Sequence, residues 1–218
     1  MNSAPHIAAL FTADAVAYET QETILVNALL PEERQYVARA VSKRVQEFAA
    51  GRTCARAALA KLGFAAVALP MGDDRAPQWP AGATGSITHT DGFCAAVAAP
   101  TARIRALGLD VEPAASVKPE LWHRICGPDE LATVQSQDAS TAIETATLIF
   151  SAKEAFYKCQ HTLTGQWLGF SDISITIETN GFSVRSTRPL QITDQHPGPW
   201  RGKYLSAAGR VITGVCIV

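Results

Sequence analysis

Apolar residues along this chain alternate between a helical and a strand-like period. Between Pro31 and Leu62, Phe48, Ala55, Leu59 and Leu62 recur at helical spacing. Pro31-Glu32-Glu33 supplies the proline and acids that suit a helix N-terminus, and Gly63 supplies a stop. The pattern predicts helix over 31–62, with Gly51 as a point where it divides in two. Arg44, Arg52 and Arg56 fall off the apolar stripe.

Between Pro70 and Gly85, prolines and glycines exclude a regular helix or a central strand. Strand-like runs follow at Gly85 to His89, Phe93 to Ala98 and Ile104 to Glu112, and the Thr90-Asp91-Gly92 turn makes the first two a hairpin. Pro128-Asp129-Glu130 opens a short helix, and Ala142 to His161 reads as a longer one with Ile143, Ala146, Phe150 and Tyr157 near one face. Ile173, Ile175 and Ile177 alternate as a strand; Asn180-Gly181 turns it into a hairpin with Phe182-Ser183-Val184. Trp200 to Ile217 is again strand-rich. Each half mixes helix with antiparallel strand, an α+β arrangement with a seam near residues 100–115.

The 218 residues suffice for one large domain or two small ones. A net charge of −1 provides no global field toward nucleic acid or anionic lipid, so an anionic ligand must be caught by a local cluster. The five cysteines, Cys54, Cys94, Cys126, Cys159 and Cys216, form no framework and are expected to be buried thiols in a reducing compartment. The N-terminal stretch, with Asp14 and Glu19, does not read as a signal peptide, and no apolar run approaches a membrane span. A soluble, cytoplasmic protein is expected.

Four features carry candidate chemistry. In Gly108-Leu109-Asp110-Val111-Glu112, residues two apart on a strand share a face, so Asp110 and Glu112 sit side by side. Paired hard oxygen ligands suit magnesium shared with substrate phosphates; a solvated edge strand is the plainer account. In Phe150-Ser151-Ala152-Lys153-Glu154-Ala155-Phe156-Tyr157-Lys158, Glu154 and Lys158 share a helix face. They are either a surface ion pair or a third ligand with a cation beside a phosphate. His89, closing Gly85-Ser86-Ile87-Thr88-His89, is placed to donate to a phosphate or simply to pack. Arg44, Arg52 and Arg56 suit a phosphate monoester or a solvated face.

Taken in order, Arg44, Glu47-Phe48, Gly51-Arg52, Ala55-Arg56, Arg75-Ala76-Pro77-Gln78-Trp79-Pro80 and the three motifs above resemble the 4′-phosphopantetheinyl transferases. The resemblance spans roughly residues 30–175 and is nearest to the larger two-domain type, which includes the transferase component of enterobactin synthesis. The G-x-D-x-E and K-E-x-x-x-K boxes are its specific part.

That resemblance implies two similar α+β halves related by a pseudo-twofold axis, residues 1–105 and 106–218, with coenzyme A in the cleft between them in a monomer. It implies transfer of the 4′-phosphopantetheine arm of coenzyme A to a serine of an apo carrier protein, with 3′,5′-ADP released. Magnesium is then held by Asp110, Glu112 and Glu154. Arg44 and Arg52 hold the 3′-phosphate and adenosine end, Thr88 and His89 contact the phosphates, and Arg75 joins the coenzyme-binding residues along with Asp110 and Lys158. Arg56 is the least committed of the arginines. Glu154, Lys158 and His89 are the expected catalytic groups, Glu154 as proton acceptor for the serine and the other two as stabilisers of the departing phosphate.

Acyl, peptidyl or polyketide carriers, including those of siderophore pathways, are the implied partners; neither nucleic acid nor membrane is. Thr88 and Ala155 stand where many relatives have serine, and Met71 where some carry a basic residue. Two other readings use the same residues: another magnesium enzyme acting on a nucleotide pyrophosphate, and a non-catalytic coenzyme A or carrier-binding subunit.

Overall fold

The computed structural model describes residues 5–194 and 196–218. The chain divides into two compact units, one running to Leu107 with Val218 added, the other Gly108–Ile217. Each is a long helix against an antiparallel sheet.

In the first unit, α1 (Pro5–Ala8) leads into β1 (Val16–Thr20), a strand that the sequence pattern did not announce. Its alternation is weak, with only Ala17 buried among its five residues. β2 (Ala83–Thr90) and β3 (Phe93–Pro100) form the expected hairpin, closed by Asp91-Gly92 with Gly92 at positive φ. β3 pairs with both neighbours, giving the order β1-β3-β2.

The helix expected over 31–62 is broken. α2 (Pro31–Arg34) gives way to a 3₁₀ turn at Gln35–Val37, and the chain restarts at α3 (Ser42–Lys61). Gly51, expected to divide the helix, instead lies inside an unbroken α3. A Cβ there would approach Ile87 Cγ2 to 2.9 Å, so the missing side chain lets helix and sheet close together. Ala50, Cys54, Ala55, Ala58 and Leu59 of α3 pack against Cys94, Ala96 and Ala98 of β3.

The second unit begins within β4 (Ala106–Pro113). Two short helices, α4 (Trp122–Ile125) and α5 (Pro128–Gln135), precede the long α6 (Ala139–Thr164). α6 starts three residues before the expected Ala142 because Asp138 caps it, accepting from the Ser140 and Thr141 amides; Gly165 in the left-handed region ends it. Its buried face is Ala142, Ala146, Ile149, Phe156 and Cys159, while Ile143, Phe150 and Tyr157 are half-buried. β5 (Ile173–Glu178), β6 (Gly181–Ser186), β7 (Trp200–Ala207) and β8 (Arg210–Ile217) complete a five-stranded sheet in the order β4-β8-β7-β6-β5.

All five cysteines are free thiols, and all but the half-buried Cys216 are buried. Among the described residues, no helix is long and apolar enough to cross a membrane.

Candidate active site

Gly108 allows the second unit's acidic cluster to form. A Cβ on it would collide with the carbonyl oxygen of Ala155 and stand 2.9 Å from Cys159 Cβ, so β4 lies directly on the backbone of α6. Asp110 and Glu112, two and four residues on, share that face and are brought to Glu154 and Lys158. Lys158 Nζ donates to Asp110 Oδ1 at 2.7 Å and to the Leu109 carbonyl at 3.1 Å. The lysine's ion pair therefore runs across to Asp110 on the strand and not along the helix surface to Glu154, the pairing that spacing alone suggested.

Burial, and then the charge of Asp110, push the Glu112 carboxyl up to about 7; Ser116 and Lys158 pull it down, and Glu154 adds to the rise. Burial also raises Glu154, with Lys158 opposing and Asp110 reinforcing the shift. The charge of Asp110 thus raises both Glu112 on β4 and Glu154 on α6. Among the described residues, no three acidic, histidine or cysteine side chains are arranged as a ready metal cage. Beside Glu154 and Tyr157 opens a cavity of about 290 Å³, walled by Trp167, Leu168, Phe170 and Ile173.

In the first unit, Arg44 Nη1 lies 3.2 Å from His89 Nε2 and 3.5 Å from Glu47 Oε2, and Glu47 Oε2 is 3.8 Å from His89. A second cavity, of about 340 Å³, is lined by Lys43, Glu47, His89 and Asp91. Arg52 is buried, stacked on Phe48 at 4.3 Å, and donates through Nε to the Leu69 carbonyl at 2.7 Å. Burial drives its guanidinium down to about 10, against the pull of Glu33 and helped by Arg44 and Arg56.

The remaining sequence-derived residues fall elsewhere. Arg56 is committed to structure: its Nη1 bonds both oxygens of Glu33 at 2.7 Å and its Nη2 the Ala28 carbonyl at 2.6 Å. Arg75 is exposed at positive φ on the turn of the 71–77 loop. Thr88 is buried, on the sheet face opposite His89.

Two buried acids stood in the sequence only as helix-start residues. Glu33 is read there only as a helix-start acid, yet it also accepts the Leu30 and Leu69 amides. Glu130 holds the fully buried Lys153 at 2.7 Å and accepts the Gly127 and Ile175 amides. Lys153 also donates to the Ile125 and Phe170 carbonyls, so it pins the cavity's wall to α6.

The profile of the 4′-phosphopantetheinyl transferase N-terminal domain matches residues 32–99, and that of the 4′-phosphopantetheinyl transferase superfamily residues 106–216. The chain is 40% identical to 4′-phosphopantetheinyl transferase Npt of Nocardia iowensis over 72% of its own length and 69% of that protein's. It is 36% identical to 4′-phosphopantetheinyl transferase PptT of Mycobacterium tuberculosis over 86% of both chains. To enterobactin synthase component D of Escherichia coli K12 it is 36% identical over 61% of this chain and 62% of that one. This chain belongs to the 4′-phosphopantetheinyl transferase superfamily. Its activity is the transfer of 4′-phosphopantetheine from coenzyme A to a serine of a carrier protein.

Proposed function

We propose that the chain performs this transfer with Asp110, Glu112 and Glu154 holding magnesium against the coenzyme's pyrophosphate. The observation that carries the reading is the close seating of β4 on α6 at Gly108, with Asp110 of the strand bonded to Lys158 of the helix and the charge of Asp110 adding to the burial that raises both Glu112 and Glu154. An all-oxygen donor set of this kind fits magnesium, which binds through one or two carboxylates plus substrate phosphates and waters rather than in an all-protein cage. When bound, magnesium neutralises and polarises the pyrophosphate.

The protein's own groups do the rest. The carrier serine's oxygen forms a bond to the β-phosphorus, the bond to the α-phosphate oxygen breaks, and 3′,5′-ADP leaves. Glu154 takes the serine's proton on its carboxylate. Lys158 offsets charge gathering on the departing phosphate. Arg44 and Arg52 bind the 3′-phosphate end, His89 and Thr88 contact the phosphates, and Arg75 joins the coenzyme-binding residues. The cavity beside Glu154 takes the pantetheine arm. The chain acts on cytoplasmic carrier proteins as a monomer in this reading.

Titrating magnesium in two variants tests the assignment. Glu154→Gln raises the magnesium requirement and slows turnover, whereas Lys158→Ala keeps magnesium and coenzyme A affinity and loses turnover. Wild-type turnover in Lys158→Ala contradicts its assigned role.

A further inference from the structure

Asp110 has two oxygens, and the one turned away from Lys158 is held by side chains that take no part in the transfer step above. Ser151, one turn before Glu154 on α6, places its hydroxyl 2.8 Å from Asp110 Oδ2. Thr213, on β8, places Oγ1 2.8 Å from Ser151 Oγ and 2.9 Å from the Ser151 carbonyl oxygen. β8 neighbours β4 in the sheet, so a residue far along the chain from either motif reaches the carboxylate through α6. Ser151 and Thr213 are both 0% exposed and Asp110 is 4% exposed, so water does not compete for these bonds.

Counting protons gives the chain of hydroxyls a direction. Each hydroxyl has one proton to donate, and an ionised carboxylate only accepts. Ser151 therefore gives its proton to Asp110 Oδ2, the charge-assisted and stronger bond. Thr213 is left with two acceptors, both oxygens of the same serine, and its proton goes to them. Thr213 supports Ser151, Ser151 supports Oδ2, and Oδ1 is left facing Lys158 at 2.7 Å.

We propose that Ser151 and Thr213 are positioning residues that fix the orientation of the Asp110 carboxylate for a divalent cation; this rests on the reading of Asp110 as a magnesium ligand. Two hydroxyls buried merely to fill the core gain nothing over alanine and valine, because each must first be desolvated. Their bonds end instead on the one carboxylate shared by Lys158 and the acidic cluster. Hydrogen bonds to a ligating carboxylate orient it and raise metal affinity, and losing them typically costs roughly 10–100-fold.

The test is Mn²⁺ binding, followed by electron paramagnetic resonance, to the full chain in the presence of coenzyme A. Thr213→Val keeps the shape and removes the hydroxyl; it and Ser151→Ala weaken Mn²⁺ by about tenfold. Thr213→Ser restores wild-type affinity, and coenzyme A affinity in EDTA is unchanged in all three. The proposal is overturned if Thr213→Val binds Mn²⁺ like wild type while Asp110→Ala does not, or if Thr213→Ser is as weak as Thr213→Val. Coenzyme A affinity lost in EDTA alongside Mn²⁺ means packing damage and overturns it as well. Should Thr213→Val not fold, wild-type Mn²⁺ affinity in Ser151→Ala overturns the proposal in its place. Wild-type Mn²⁺ affinity in Asp110→Ala removes the ligand reading itself, a separate failure.

Discussion

The carbonyl oxygen of Ala155 occupies the place where a side chain on Gly108 would begin. The glycine of the G-x-D-x-E box is therefore a packing requirement between β4 and the helix that carries Glu154. Gly108→Ala forces the strand off the helix and moves Asp110 and Glu112 with it. Overpacking of this kind costs about 1–3 kcal/mol. Urea denaturation measures it, with transfer activity falling in the same variant; wild-type stability and activity in Gly108→Ala contradict the packing account.

Two lysine ion pairs separate buried from exposed electrostatics. Lys153 and Glu130 are almost wholly buried, and Lys153→Met strands the Glu130 carboxylate beside its amide donors. Breaking such a pair from one side costs roughly 3–5 kcal/mol. Lys43 and Asp91 lie at the same 2.6–2.7 Å separation but in solvent, and Lys43→Met leaves the denaturation midpoint unchanged. Equal effects in the two variants contradict the assignment.

Arg44 tests the nucleotide end. With its guanidinium at His89 and the role proposed for it at the 3′-phosphate, Arg44→Gln weakens coenzyme A by about tenfold and dephospho-coenzyme A far less. Calorimetry with the two ligands reads the difference, and equal losses place Arg44 away from the 3′-phosphate.

Glu112 makes stability depend on pH when no metal is present. Its ordinary value is 4.5, and in the folded chain burial and Asp110 raise it to about 7. The folded state binds this proton more tightly than the unfolded one, so the stabilisation is complete below 4.5 and is lost as pH rises through about 7. In EDTA, Glu112→Gln lacks this loss, and its Tm exceeds that of wild type above pH 7 by more than it does near pH 4.5. A constant Tm difference across that range contradicts the shift.

The parts of the fold legible in the sequence are those set by local pattern. The Asp91-Gly92 turn specified the β2–β3 hairpin, and alternation at Ile173, Ile175 and Ile177 specified β5. β1 was not legible because it is short, mostly half-exposed and held by its pairing to β3. Gly51 misled for a related reason: its effect depends on Ile87, which packs on it from another element.

The acids and cations of the candidate site were visible because motif spacing places them. The groups that hold them were not. Ser151 meets Thr213 across 62 residues, Lys153 meets Glu130 across 23, and Arg56 meets Glu33 across 23. Each pair is a tertiary contact whose partners lie too far apart along the chain for a local pattern to join them.

Transfer in this account depends on magnesium held by the carboxylates of β4 and α6, and intact-mass spectrometry of an apo carrier protein decides the point. With coenzyme A and magnesium, the wild-type chain adds one phosphopantetheine to the carrier. Asp110→Asn, which keeps the side chain's shape and loses its charge, adds none at the same magnesium concentration and recovers only in part when magnesium is raised. A carrier fully modified by Asp110→Asn at the wild-type magnesium concentration contradicts the account.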